Sequence, residues 1–308
     1  MRSPAVRHLI HRPRSWQYPV PAVPDTEEEF VLVCEFPAGN AQGRRFHELL
    51  DVVGAVQEAA EFIGRCHFAV KPDRVAVFYR FGLWADDIAA LHCRVPDGRL
   101  DVRLSVRPDK VVDGVPRVLE FRMAIRIDGS PCGAGEASLV FLAPGVHTNH
   151  RRHSRAALLA ACGTAGGGGG AAAPAGSPVD PADIGYGDPR DVLLRNPGTA
   201  DGRLSVDVTL PPPVDGEVPA RVLLEAVRQV SLYTAVRAHG LAAGRNTLAS
   251  LRAHFRGYAE PDLPLRCAAV WEPLGKDGRG RRLAPVSLSL IQADRAILET
   301  TTSVVEDL

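Results

Sequence analysis

Three residues on one predicted helix have side chains that could carry out acid–base chemistry. Glu225, Arg228 and Gln229 lie in the segment 222–236, whose other positions are mostly apolar. That pattern predicts a helix buried inside the fold. At about 100° per residue, Glu225 and Gln229 share one helix face and Arg228 lies at its edge. Because an unpaired buried charge is costly, the three residues predict either a salt-bridged structural group or a site that faces a ligand.

Composition sets the broad limits. The 308 residues are enough for two domains of about 150 residues, each with its own core. Lysine plus arginine and aspartate plus glutamate both number 36, so no overall charge would attract nucleic acid or an anionic membrane. The six cysteines are widely spaced and include no CxxC pair, which predicts reduced thiols. No apolar stretch approaches the roughly 20 residues that span a bilayer, so we expect a cytoplasmic protein.

The first half of the chain predicts one helix followed by antiparallel strands. Residues 1–28 are rich in proline and arginine and indicate an extended lead-in, and residues 29–37 alternate in polarity and end in proline, as a strand would. Residues 48–68 predict a helix. Further strands are expected over residues 74–84, 100–106, 117–127 and 135–142. The Asp-Gly pairs at 113–114 and 128–129 are typical of hairpin turns.

The second half repeats this order of elements. A strand over 204–211 again ends in proline and precedes the buried helix, for which Val218-Pro219 suits the start and Gly240 the end. More strands are expected over residues 248–258, 264–272, 283–292 and 296–305. The best local match pairs residues 81–86 (FGLWAD) with residues 255–260 (FRGYAE). Such a duplication predicts two copies of one domain.

A long apolar helix wrapped by a curled antiparallel sheet is the hot-dog arrangement, so we predict an α+β tandem double hot-dog. Repeat 1 would cover 29–153 and repeat 2 would cover 184–308. Between them, residues 154–183 contain an alanine- and glycine-rich stretch that predicts a flexible linker. The two sheets would pair as those of a hot-dog homodimer do, which would make the chain a monomeric pseudo-dimer.

Several short motifs recur with the spacing of a known family. They are His11-Arg12-Pro13, Phe36-Pro37, residues 188–194 (DPRDVLL), Val218-Pro219 and the Glu-x-x-Arg-Gln pattern of residues 225–229. Together they resemble the A-factor biosynthesis family, the γ-butyrolactone synthases of actinomycetes, which carry tandem hot-dog repeats. The resemblance covers nearly the whole chain apart from the linker. In the first repeat, the aligned residues 54–58 (GAVQE) begin with Gly54, at the position where the Glu-x-x-Arg-Gln pattern has its glutamate.

The resemblance implies an acyltransferase. Members of the family join a β-ketoacyl group, delivered on acyl carrier protein, to the hydroxyl of dihydroxyacetone phosphate, and the ester cyclises toward a butenolide and a γ-butyrolactone signal. This transfer needs a base, a donor for the oxyanion and a dry slot for the acyl chain. Burial would raise the pKa of Glu225 toward that of a useful base, and Arg228 would oppose this if it pairs with Glu225. Gln229 could orient the substrate or donate to the thioester oxygen.

Candidates for substrate binding lie outside this group. They are Asp215, Glu217, Gln57, Glu58 and Arg256. A carboxylate in an exposed loop is usually only solvated, which is the alternative for the acidic candidates. Arg252, Arg256 and Arg266 alternate in and around strands of the second repeat and could meet a phosphate or an acidic carrier protein. The alternative for each arginine is an exposed basic strand face.

Other classes of site find no support in the sequence. The ten histidines form no metal-ligand set, and the glycine run 166–170 lacks the following Lys-Ser/Thr and the flanking strand of a nucleotide loop. We therefore expect no cofactor and no metal. Two alternatives stay open for function: a hot-dog thioesterase or dehydratase that acts on acyl thioesters, or a non-catalytic, ligand-binding protein of the same family.

Overall fold

The computed structural model describes residues 5–12, 27–35, 46–93, 98–164, 176–212 and 216–307. The chain divides into two compact units, Met1–Thr148 and Asn149–Leu308. None of the helices in the described ranges has a stretch that is both long and apolar enough to cross a membrane.

The first unit is one helix and one antiparallel sheet. Its elements are β1 (Ala5–Arg12), β2 (Glu28–Glu35), α1 (Asp51–Cys66), β3 (Val75–Ala85), β4 (Arg99–Val112), β5 (Val115–Ile127) and β6 (Ser130–Leu142). The strands pair in the order β1-β2-β4-β5-β6-β3. The turns at 113–114 and 128–129 have positive φ at both residues, as the tight two-residue hairpin turn requires, so both predicted hairpins are confirmed.

The apolar spacing of α1 explains why it packs against this sheet. Val53, Val56, Ala60 and Ile63 follow the helical repeat and are at most 1% exposed. Phe62, on the opposite side of the helix, is 57% exposed. The helix therefore buries one apolar face.

The second unit has the same plan with two additions. Its elements are α2 (Pro144–Thr164, in this unit from residue 149 onward), β7 (Leu194–Ala200), β8 (Arg203–Val208), α3 (Ala220–His239), β9 (Asn246–Phe255), β10 (Leu265–Trp271), β11 (Gly275–Lys276), β12 (Arg282–Gln292) and β13 (Arg295–Glu306). The strands pair antiparallel in the order β7-β8-β10-β12-β13-β9, and β11 pairs with β12. Apart from β11, this is the strand order of the first unit, which confirms the predicted duplication.

The helix α3 is buried along most of its length. Every residue from Leu223 to Ala235 is buried, and the helix packs against β9, β10, β12 and β13. Pro219 caps its start, and Gly240 ends it with φ of 61°, a left-handed conformation that glycine adopts without strain. The predicted central helix and its sheet are therefore confirmed, and with them the hot-dog arrangement.

Arginines of α2 attach this helix to the second unit. Arg155 donates to Glu260 at 2.8 Å and to Asp262 at 2.6 and 2.7 Å. Arg151 donates to Glu217 at 3.0 Å and lies 3.6 Å from Glu260. Glu260 is only 1% exposed, and these two arginines are its ion-pair partners.

The structure differs from the sequence predictions at four places. Residues 5–12, assigned to an extended lead-in, form β1 on the edge of the first sheet. Residues 154–164, assigned to the linker, continue α2 because their alanines and leucines favour a helix, and Leu158 is fully buried. The strand β7 was not predicted, since its Asn-Pro-Gly sequence lacks a strand pattern. The end of the predicted linker, from residue 176, packs on the second unit, where Val179 is buried and leads into a 3₁₀ turn. Residues 165–175 of the predicted linker lie outside the described ranges.

Candidate active site

A buried polar group lies on one side of α3, where its helical spacing brings three side chains together. Glu225 and Arg228 are 4% and 3% exposed, and Gln229 is completely buried. The Arg228 guanidinium donates through Nε to Glu225 Oε2 and through Nη2 to Glu225 Oε1, both at 3.1 Å. Two parallel bonds of this kind fix the geometry of both side chains. Glu225 and Arg228 therefore pair, which is the condition under which Arg228 was expected to oppose a raised pKa of Glu225.

Tyr186 completes the group from outside the helix. Its hydroxyl donates to Glu225 Oε1 and accepts a hydrogen bond from Arg228 Nη2. The guanidinium of Arg228 also lies 5.0 Å from the centre of the Tyr186 ring, within cation–π range. We refer to Tyr186, Glu225, Arg228 and Gln229 as the Glu225 group.

The short turn before Tyr186 sets its position. Residues Pro181–Ile184 form a 3₁₀ turn, which Asp180 caps by accepting from the Ala182 amide at 2.9 Å. Gly185 follows with φ of 70°, which turns the chain toward α3. Sequence reasoning missed Tyr186 because it lies far from α3 along the chain. The one usable signal was that a buried Glu225 needs donors beyond its own helix.

Gln229 joins the helix to the segment 191–193. Its Nε2 donates to the Asp191 carbonyl at 2.8 Å and to Glu225 Oε1 at 2.9 Å, and its Oε1 accepts from the Leu193 amide at 2.8 Å. Both hydrogens of the Gln229 amide are therefore in use. The expectation that Gln229 could donate to a thioester oxygen would require it to release one of these partners.

The surroundings of Glu225 set its protonation state. Burial raises its pKa, but the charge of Arg228 and hydrogen bonds from Arg228, Tyr186 and Gln229 outweigh burial and hold the pKa below its ordinary value. The expectation of a raised pKa was therefore wrong, because Arg228, Tyr186 and Gln229 together outweigh the effect of burial on the pKa. Glu225 is ionised at neutral pH, which favours a role in orienting hydrogen-bonded groups over that of a strong base.

The structure places the other candidates outside the Glu225 group. Glu217 precedes α3 and forms an ion pair with Arg151. Arg256 is exposed and pairs with Glu299 at 2.7 Å. Gln57 is half-buried and Glu58 exposed on α1 of the first unit. Asp215 lies outside the described residues. Their proposed roles in binding substrate stay predictions.

Comparison with solved structures defines the class of fold. The pyran synthase domain from module nine of the sorangicin pathway matches with a TM-score of 0.54 at 13% identity, covering 100% of both chains. The 12:0-ACP thioesterase from Umbellularia californica matches with a TM-score of 0.51 at 12% identity, covering 89% of this chain and 93% of that one. The tesB protein of Mycobacterium avium subsp. paratuberculosis gives 0.51 at 12% identity, covering 90% and 93%. At these identities the similarity shows the fold alone: the chain is a hot-dog protein.

A family model adds a narrower result for the second half. Residues 170–305, which are less than half of the chain, match the model of the A-factor biosynthesis hotdog domain. All four residues of the Glu225 group lie within the match. The resemblance predicted from the motifs is confirmed for this range, and for the first half it stays a prediction. No curated protein sequence matches the chain.

Proposed function

We propose that the second unit is an acyltransferase that condenses a β-ketoacyl thioester, carried on acyl carrier protein, with dihydroxyacetone phosphate, in the biosynthesis of a γ-butyrolactone or butenolide signal. The observation that supports this is the Glu225 group, in which Tyr186 and three residues of the central helix form a connected set of charged and neutral hydrogen-bonding side chains. The group lies within the range that matches the A-factor biosynthesis hotdog domain. Buried charges that are kept in an otherwise apolar helix are typical of functional sites, although structural ion pairs also occur.

In the proposed reaction, the acceptor hydroxyl replaces one of the donors on Glu225 Oε1. That atom accepts hydrogen bonds from Tyr186, Arg228 and Gln229, so it is the best-connected acceptor of the group. Glu225 then orients the hydroxyl toward the thioester, and orientation is its main contribution because its low pKa makes it a weak base.

Tyr186 supplies the other half of the proposed chemistry. When the acceptor hydroxyl takes its place on Glu225, the Tyr186 hydroxyl becomes able to donate to the thioester oxygen, where negative charge develops. The alcohol oxygen forms a bond to the acyl carbon, the carbon–sulfur bond breaks, and the alcohol proton passes through Glu225 to the leaving thiolate. The acyl chain would lie beside α3, whose buried neighbours are apolar.

A mass-spectrometric product assay tests the proposal. The purified protein is mixed with a β-ketoacyl carrier-protein thioester and dihydroxyacetone phosphate, and the products of Glu225→Gln and Tyr186→Phe are compared with those of the unaltered chain. We expect a phosphorylated ester or butenolide that falls strongly in both variants. Glu217→Gln is assayed beside them as the second candidate carboxylate. Glu272→Gln is the matched control, because it changes an exposed carboxylate of the second unit that is not a candidate site residue. Circular dichroism establishes that each variant is folded.

The possible outcomes separate the alternatives. Absence of phosphorylated product across several acyl lengths would contradict the acyltransferase proposal, and release of free acid would favour a thioesterase. Product that survives in Glu225→Gln and falls in Glu217→Gln would move the reaction to Glu217. The non-catalytic alternative has one observation in its favour, since the lowered pKa of Glu225 also suits a purely structural ion pair. Binding of the acyl thioester without turnover would support that alternative.

A further inference from the structure

A groove of about 560 Å³ lies on the outer face of the second unit's sheet. Along β8, β9, β10, β12 and β13, buried residues alternate with half-buried or exposed ones, and the buried set faces α3. The groove is lined mainly by the alternate, outward set. It therefore lies on the opposite face of the sheet from the Glu225 group, and its volume is within the range of small-molecule sites, roughly 300–1,000 Å³.

One row of paired residues crosses this groove. Arg203 pairs with Val270, Val270 with Ser287, Ser287 with Thr301, and Thr301 with Arg252. Neighbouring strands are about 4.8 Å apart, so the two arginines stand about 19 Å apart along the sheet with Ser287 midway between them. The row thus has a long cationic side chain at each end and short side chains between.

The polar groups of this row are available to a ligand. Within the part of the chain that the structure describes, the side chains of Arg203, Arg252, Ser287 and Thr301 have no hydrogen-bond or ion-pair partner. Two guanidinium groups and two hydroxyls can all donate hydrogen bonds, and arginine forks match the geometry of phosphate oxygens. An anion with several acceptor oxygens suits this set of donors.

The remaining lining residues leave the groove positive. Glu299 is a carboxylate in the lining, but Arg256 neutralises it through the ion pair at 2.7 Å. The apolar part of the lining includes Ala268, Ile291 and Val270, which is 42% exposed. The groove therefore combines an excess of positive charge with an apolar surface, and a ligand that suits it has an anionic end and a small organic body.

We propose that this groove is a binding site for a phosphate monoester of a small organic molecule. Arg203 and Arg252 approach the phosphate from opposite sides, Ser287 and Thr301 donate to it from the floor, and Val270 with its apolar neighbours contacts the organic part. The site is separate from the Glu225 group, where the proposed acyl acceptor is also a phosphate monoester, so binding at the groove is identified by its dependence on Arg203 and Arg252.

Isothermal titration calorimetry with glycerol 3-phosphate tests the site in the full chain. We expect saturable binding to the unaltered protein and binding at least about tenfold weaker in Arg203→Gln and in Arg252→Gln, since each removes a charged donor to phosphate. Arg252→Lys should keep part of the affinity because it keeps the charge. Arg107→Gln, which changes an exposed arginine on β4 of the first unit, is the matched control and should bind as the unaltered chain does.

Two control titrations identify which part of a ligand the groove recognises. Glycerol without phosphate should give no heat, and vesicles containing phosphatidic acid report recognition of a lipid headgroup. The proposal is overturned if glycerol 3-phosphate does not saturate the unaltered protein, if both glutamine variants bind it unchanged, or if only the vesicles bind. The four variants change residues on the protein surface, so thermal melting should show each of them folded.

Discussion

The central helices of the two units, α1 and α3, occupy the same place in the same strand order but differ in what they bury. Counting back from the matched residues Phe81 and Phe255, Asp51 falls where Glu225 does. The ends of the two helices agree with this register to within one residue. The motif alignment found no counterpart of Glu225 within residues 54–58. In the present register the counterpart is Asp51, a carboxylate with a shorter side chain at the first position of α1.

The cation and the amide of the Glu225 group have no counterpart in α1. In the same register, Gly54 stands in place of Arg228 and Ala55 in place of Gln229. The first unit forms the full hot-dog sheet without such a group, so the fold requires only an apolar helix. Since a buried ion pair is often no more stable than well-packed apolar residues, the stability of the fold gives no reason for the group on α3, which agrees with the proposed catalytic role.

Removing the charge of Glu225 should lower the free energy of unfolding more than a change at Asp51 or at Tyr186. Glu225→Gln leaves the Arg228 charge buried and unpaired, which we expect to lower the free energy of unfolding by about 3–5 kcal/mol. The matched change Asp51→Asn should cost about 1 kcal/mol, since an amide can still accept the hydrogen bond from the Glu48 amide. Urea unfolding of both variants measures the difference. Equal losses would remove the proposed distinction between the two helices.

A double variant identifies the cause of that loss. In Glu225→Gln combined with Arg228→Met, no buried charge is left unpaired, so most of the lost stability should return while the acyltransferase product does not. If the free energy of unfolding stays low in the double variant, most of the loss in Glu225→Gln comes from hydrogen bonds of Glu225 to residues other than Arg228.

Loss of the Tyr186 hydroxyl should have a smaller effect. Tyr186→Phe takes one donor from Glu225 and one acceptor from Arg228 while the ring stays in place. We expect a loss of about 1–3 kcal/mol in the free energy of unfolding, measured in urea. A loss below about 0.5 kcal/mol would mean that this hydroxyl is not a working part of the group.

The smallest effect should appear in the pH dependence of stability. The pKa of Glu225 in the folded state lies below its ordinary value of 4.5, so the ionised form stabilises the fold above that pH. This contribution should be lost as the pH falls from about 4.5 through the folded-state pKa. Unfolding curves of the unaltered chain and of the double variant, measured from pH 7 to pH 3, should converge on the acid side. Curves that stay parallel would contradict a lowered pKa.

Much of the fold could be predicted because its signals are local. The apolar stretch around Glu225 predicted a buried helix, Gly240 its end, and the two Asp-Gly pairs the hairpins. Composition misled at α2, where alanines next to a glycine run suggested a linker. The difference is physical, because alanine favours a helix whereas glycine opposes one.

The candidate site was only partly predictable, because some of its contacts join residues that are far apart in the chain. The spacing of Glu225, Arg228 and Gln229 along one helix showed that they would meet, since this depends on helix geometry alone. The contact with Tyr186 joins residues far apart in the chain, and no periodic pattern reports it. The direction of the Glu225 pKa depended on how fully its partners compensate burial, which needs their distances as well as their identities.

The hydrogen bonds of Gln229 make this position sensitive to a mutation that needs only one base change. Its side-chain amide offers one donor and one acceptor to the main chain of residues 191–193, as the peptide group of a neighbouring strand would. Glutamate has the same length but carries only acceptors when ionised, so it would face the Asp191 carbonyl with no hydrogen to give. One base change converts a glutamine codon into a glutamate codon. This single-base mutation therefore preserves the shape of the side chain and removes both hydrogen bonds that the Gln229 amide donates, to the Asp191 carbonyl and to Glu225 Oε1.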